Sequence, residues 1–223
     1  MDSTLLQISS ITKKLWMAFL GLFLMIFLVV HLGINLCLLR DDGGAWFTAA
    51  AHFMGTNLIV KVFEIGLFAG FIFHIFLGIA VQVQNWMSRP VRYMVSNKSD
   101  TPFLSKYMIY TGGIVLIFLI IHFFNFYLIK LGWVSNPNIH PDGEPDFYII
   151  AQELFANPLY SVFYIVLFIA LGFHLNQAFQ AAMQTFGINH AQYNKCILRF
   201  GTFYAIVVPL GFIIIPIYFL LIR

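Results

Sequence analysis

Residues 15–39 read LWMAFLGLFLMIFLVVHLGINLCLL, with Lys13-Lys14 before them and Arg40 after. The run contains no charged residue. Roughly 20 apolar residues in a helix cross the ~30 Å core of a bilayer, so a transmembrane helix is expected here. A signal peptide would have a shorter apolar core and a small-residue cleavage site, so the helix is expected to be retained. Four similar runs follow: residues 58–84, interrupted by Lys61 and Glu64, then 107–131, 159–184 and 197–222. The expected architecture is all-α, a single transmembrane domain over residues 1–223 with five spanning helices.

Composition agrees. Of 223 residues, 61% are hydrophobic and only 9% charged, against about 25% charged in soluble domains. So few charges exclude both a soluble globular surface and a disordered chain. The net charge of +3 is scattered, with no basic stripe for nucleic acid. Cys37 and Cys196 are expected near opposite faces and free.

Lys and Arg in the short loops orient the bundle. With the N-terminus inside, the inner side holds Lys13, Lys14, Arg89, Arg92, Lys98, Lys106, Lys195 and Arg199. Asp41, Asp42, Asp142, Glu144 and Asp146 fall outside. The C-terminus is then outside as well. Trp16, Trp46, Trp86 and Trp133 fall at expected interfaces, as an aromatic belt would. Pro209 and Pro216 are expected to kink the fifth span. Residues 147–155 are expected to form a short outer helix, and the basic inner segment 89–106 to be a docking surface. No internal repeat is visible at the level of sequence.

Each of the first four spans carries one histidine in its apolar body: His31, His74, His122 and His174. An imidazole inside a membrane needs a polar partner or a metal. Their depths follow from the helical rise of ~1.5 Å per residue. Counted from Trp16 and Met108, His31 and His122 lie roughly 22 and 21 Å above the inner face. His74 and His174 each precede a glutamine, Gln84 and Gln184, by ten residues and lie roughly 15 Å up. Two layers result, and facing histidines in each can hold one haem iron in a helical bundle. With both axial positions filled, such haems suit electron transfer rather than oxygen chemistry. Zinc would want four ligands in one place. Gly70 and Gly78 around His74, and Ala170 and Ala178 around His174, would leave room for a porphyrin, although ordinary close helix packing explains them equally well. Phe27 and Asn35, and Phe118 and Phe126, flank the outer pair and do not offer that room. His52, His140 and His190 are expected in loops or at helix ends, solvated.

In this order of four intramembrane histidines on five helices, the chain resembles the five-helix, two-haem cytochrome b subunit of succinate:quinone oxidoreductases (succinate dehydrogenases and fumarate reductases). Residues 172–175 (GFHL), Phe179-Gln180, residues 184–187 (QTFG) and residues 73–78 (FHIFLG) carry the likeness. The resemblance implies two haem b, the distal one on His31 and His122 and the proximal one on His74 and His174. It also implies a flavoprotein with FAD and an iron–sulfur subunit docked on the inner face near residues 89–106. Membrane quinone would be the electron partner, in the respiratory chain of a bacterial-type cytoplasmic membrane. Some fumarate reductases of this type have a glutamate two residues before the fourth histidine. Here Gly172 stands there, which favours succinate oxidation while leaving direction open.

Glu64, ten residues before His74, is a candidate for quinone proton exchange; the alternative is an ion pair with Lys61 on the same helix face. Arg89, Arg92, Lys106 and Gln84 are candidate contacts to inner haem propionates. Two other readings stay open. One is a dihaem cytochrome b of a different quinone-linked enzyme, such as a hydrogenase or formate dehydrogenase. The other is a proton-relay transporter, which would want more mid-membrane carboxylates and broken helices.

Overall fold

The structure, a computed structural model, describes residues 9–87, 107–140, 143–188 and 192–221. Arg89, Arg92, Lys106, His190 and the basic segment 89–106 lie outside the described residues. Among the described residues seven helices follow one another, with a 3-10 turn at Cys37–Leu39 after the first: α1 (Ser10–Leu36), α2 (Ala45–Thr56), α3 (Leu58–Met87), α4 (Met108–Lys130), α5 (Phe147–Ala156), α6 (Pro158–Thr185) and α7 (Asn194–Leu221). Five of them, α1, α3, α4, α6 and α7, are long and apolar enough to cross a membrane. A spanning segment must satisfy its backbone polar groups internally, and a helix does so locally.

Polar residues mark the helix ends. The Ser9 hydroxyl accepts from Thr12 N at the start of α1. Asn57 Oδ1 accepts from Ile59 N and Val60 N at the start of α3. Asn157 Oδ1 accepts from Leu159 N at the start of α6, with Pro158 in the first turn, where its missing N–H costs nothing. Gly132 (φ 71°) and Gly187 (φ 72°) end α4 and α6 in the left-handed region. Behind them Trp133 N reaches Leu128 O and Ile188 N reaches Met183 O, both at 2.9 Å, which satisfies carbonyls that the helix end would strand.

The expected spans are all present. The short helix expected over residues 147–155 is α5. A second short helix, α2, was not foreseen, and Pro209 and Pro216 lie inside an uninterrupted α7. A π-helical turn, Phe123–Tyr127, follows His122 directly. Trp16 and Trp86 lie at one end of the bundle and Trp46 and Trp133 at the other, all largely exposed, as in an aromatic belt.

Helices α1, α3, α4 and α6 form a four-membered ring. Helix α1 packs on α3 and α6, and α6 packs on α4; α3 and α4 meet mainly near their ends. Helix α7 lies outside the ring, packed closely on α6 and also on α1. The buried core runs along α5, α6 and α7 through Tyr148, Phe155, Tyr164, Phe168, Phe212 and Phe219. In contrast, α3 buries only Gly70 among its described residues, and its Ile59, Val62, Ile65 and Ile72 are exposed. Such a surface is stable against lipid and not against water.

The order of elements repeats: long helix, short helix, asparagine cap, long helix. Helices α1, α2 and α3 with Asn57 form one unit, and α4, α5 and α6 with Asn157 form the next.

Candidate functional site

The four intramembrane histidines sit on the four ring helices, and each layer draws on diagonally opposite ones. His31 of α1 faces His122 of α4, with ring centroids 5.9 Å apart and planes at 84°. Two metal–imidazole bonds of about 2.0 Å place ring centres about 6 Å apart across one ion, so this pair has the separation of two axial ligands. Phe27 stacks on His31 at 5.2 Å and Phe118 on His122 at 5.6 Å, each from one turn earlier on its own helix. The flanking phenylalanines therefore support the rings instead of standing aside. Phe212 of α7 closes on His31 at 5.8 Å.

The second layer involves α3 and α6. His74 lies against Gly21 of α1, where an added Cβ would be 3.4 Å from its Cε1. His174 lies against Gly112 of α4, where an added Cβ would be 3.3 Å from its Cε1. Gly21 precedes His31 by ten residues, and Gly112 precedes His122 by ten, so the layers are roughly 15 Å apart along the helices. The pattern Gly-x5-Phe-x3-His thus occurs twice, at 21–31 and 112–122. It was open to reading in the sequence, but its glycines serve histidines on other helices.

The small residues of α3 do something else. Gly70 packs against Phe23 and Leu24 of α1, and Gly78 has no atom within 4 Å of an added Cβ. Gly70 is thus a close helix contact, and the clearance beside the inner ligands comes from Gly21 and Gly112.

Hydrogen bonding differs between the four rings. Asn35 Nδ2 donates to the His31 carbonyl at 2.8 Å and lies 3.4 Å from its Nδ1. Thr111 Oγ1 lies 3.4 Å from His174 Nδ1. Nδ1 of His74 and of His122 is buried without a partner. The backbone of Met17 on α1 is the polar neighbour of the His74 ring. No group of three or more His, Cys, Asp or Glu gathers among the described residues; His31 and His122 meet as a pair. The 5.9 Å pair of His31 and His122, and the glycines beside His74 and His174, fit residues that would hold two haems.

Glu64 pairs with Lys130 of α4, at 2.9 and 3.1 Å, and not with Lys61. The Lys130 ammonium also sits 5.5 Å from the Tyr127 ring, and Phe68 of α3 packs against Tyr127 and Phe123. Lys130 follows His122 by eight residues, so the pair lies roughly 12 Å beyond the His31–His122 layer. Gln84 is half-buried near the opposite end of α3. Sequence reasoning missed Lys13, which begins α1 and is only 3% exposed.

Comparison with protein-family models, with curated proteins and with solved structures returns no match.

Proposed function

We propose that the chain is a dihaem membrane cytochrome b that passes electrons between a peripheral flavoprotein/iron–sulfur pair and membrane quinone, as a succinate:quinone oxidoreductase anchor does. The observation that carries this reading is the diagonal pairing of His31 with His122, with His74 and His174 roughly 15 Å away along the same ring of helices. A proton-relay transporter has no need of paired imidazoles at ligand spacing. Among the described intramembrane residues Glu64 is the one carboxylate, and it is already paired.

In this reading His74 and His174 hold one haem and His31 and His122 the other. Bound haem with two imidazole ligands supplies one-electron transfer and leaves no open position for oxygen. The residues of the chain orient and insulate. Phe27 and Phe118 fix the planes of the outer ligands, and Gly21 and Gly112 let the inner ligands lie against neighbouring backbones. Ligation through Nε2 requires a proton on Nδ1. At His31 the Asn35 Nδ2 is held by the His31 carbonyl, so an Nδ1–H there would need an acceptor other than Asn35. Glu64, oriented by Lys130 at the rim of the bundle, exchanges protons with quinone. The partner subunits dock on the face where α1 begins and α3 ends, the face to which the basic segment 89–106 belongs in sequence.

The test is haem stoichiometry with axial-ligand spectroscopy on the purified chain. Two low-spin haems with two imidazoles each are expected; a haem-free chain overturns the proposal. Copurification of a flavoprotein with succinate-dependent quinone reduction then separates this role from service to a hydrogenase or formate dehydrogenase.

A further inference from the structure

The layer of His74 and His174 contains a polar chain that nothing above uses. Thr111 of α4 and Gln177 of α6 meet beside His174. Thr111 Oγ1 lies 3.4 Å from His174 Nδ1, 3.3 Å from Gln177 Oε1 and 3.0 Å from the Met108 carbonyl. A hydroxyl has one proton to give and lone pairs to receive. Spent on Gln177 Oε1 or on the Met108 carbonyl, that proton leaves Thr111 Oγ1 as an acceptor for His174 Nδ1–H. The imidazole is then held in the tautomer whose Nε2 has a free lone pair.

Gln177 itself is 6% exposed, and its Nε2 is buried with no partner. A buried donor without an acceptor is destabilising, and turning the amide over would strand Oε1 instead. The donor lies one turn from His174 on the same helix, at the level where the inner group would be held.

We infer that Thr111 and Gln177 complete the inner haem site, Thr111 as the acceptor that fixes His174 and Gln177 as a donor to a carboxylate of the bound porphyrin. This rests on the dihaem reading and adds two residues to it. Thr111 is a positioning residue, since it acts through the ligand. An acceptor on Nδ1–H makes a histidine more electron-donating towards its metal, so removing the acceptor raises the reduction potential of that haem.

The experiment uses the full chain in detergent with its haem. His174→Ala and His31→Ala variants assign the inner and outer low-spin signals. Thr111→Val is expected to shift the inner ferric signal and to raise the inner midpoint potential, with the outer haem unchanged and Thr111→Ser restoring both. Gln177→Leu is expected to speed transfer of the inner haem to a haem-free globin by about tenfold or more, with the outer rate unchanged. If Thr111→Val loses the inner haem, the outer signal reports that the bundle is folded; recovery in Thr111→Ser then supports the inference, and no recovery overturns it. An inner signal and potential identical to the parent's in a fully loaded Thr111→Val overturns the positioning role. An unchanged transfer rate in Gln177→Leu overturns the donor role. A parent chain without haem removes the dihaem reading itself and is seen before any variant is made.

Discussion

Gly172 of α6 lies against the Ala205 carbonyl of α7: an added Cβ would be 2.9 Å from that oxygen and 3.4 Å from Pro209 Cγ. Pro209 has no N–H to give the carbonyl four residues before it, so the freed oxygen faces the one place on α6 where no side chain intervenes. This explains in packing terms why the position two residues before the fourth histidine holds no glutamate. Gly172→Ala is expected to lower stability by about 1–3 kcal/mol through overpacking, and Gly172→Glu by more. Thermal unfolding in detergent checks it; an unshifted midpoint for Gly172→Glu would show that α7 yields freely.

In the proposed reading the layered histidines would make two haems separable. His174→Ala is expected to abolish the inner haem and leave the outer one at least partly loaded, while His31→Ala does the reverse. A pyridine haemochrome assay with low-temperature spectra reads this directly. Loss of the outer haem alone in His174→Ala would contradict the pairing.

The glycines beside the inner ligands give a sharper case. At Gly112 an added Cβ already presses on His174 Cε1, and at Gly21 on His74 Cε1. Gly112→Leu and Gly21→Leu are each expected to displace an inner ligand and deplete only the inner haem, although neither glycine is on the helix of the ligand it serves. Gly78→Leu, at a position open to its surroundings, is the control and is expected to keep both haems. Equal haem content in all three variants would return Gly21 and Gly112 to plain helix packing.

Glu64 and Lys130 join α3 to α4 at the rim. Glu64→Gln is expected to slow quinone turnover at least tenfold while leaving haem content intact, if protons pass through the carboxylate. Lys130→Met keeps the carboxylate and removes its partner, so turnover is expected to fall less. Unchanged kinetics in Glu64→Gln would leave a rim ion pair, a contact worth about 0–1 kcal/mol when exposed.

Counting residues at a constant rise orders the histidines along the bundle: His31 and His122 meet, and His74 and His174 lie beside Gly21 and Gly112, towards the other end. It does not give the spacing: the count puts the layers roughly 7 Å apart and the glycines put them roughly 15 Å apart, because Gln84 and Gln184 do not lie level with Trp16 and Met108. Reading neighbours failed where the partner lies on another helix. Lys61 was the expected partner of Glu64 because it is three residues away; the partner is Lys130, 66 residues on, because α3 and α4 meet at that end. Gly70, one turn from His74, is a close contact with Phe23 and Leu24, while the glycines beside the rings of His74 and His174 are Gly21 and Gly112 on other helices. Thr111 and Gln177 drew none, since a threonine and a glutamine in apolar spans have no pattern of their own.

Five spans, and one imidazole in each of four of them, are settled by local physics: a bilayer core forces every crossing segment to satisfy its own backbone, and only length and apolarity decide which segments do so. Which helices stand diagonally opposed, which backbone lies beside which ring, and which lysine answers Glu64 depend on how each helix is rotated about its axis. That rotation is set by side chains fitting against other helices, and it is decided only when the bundle has assembled.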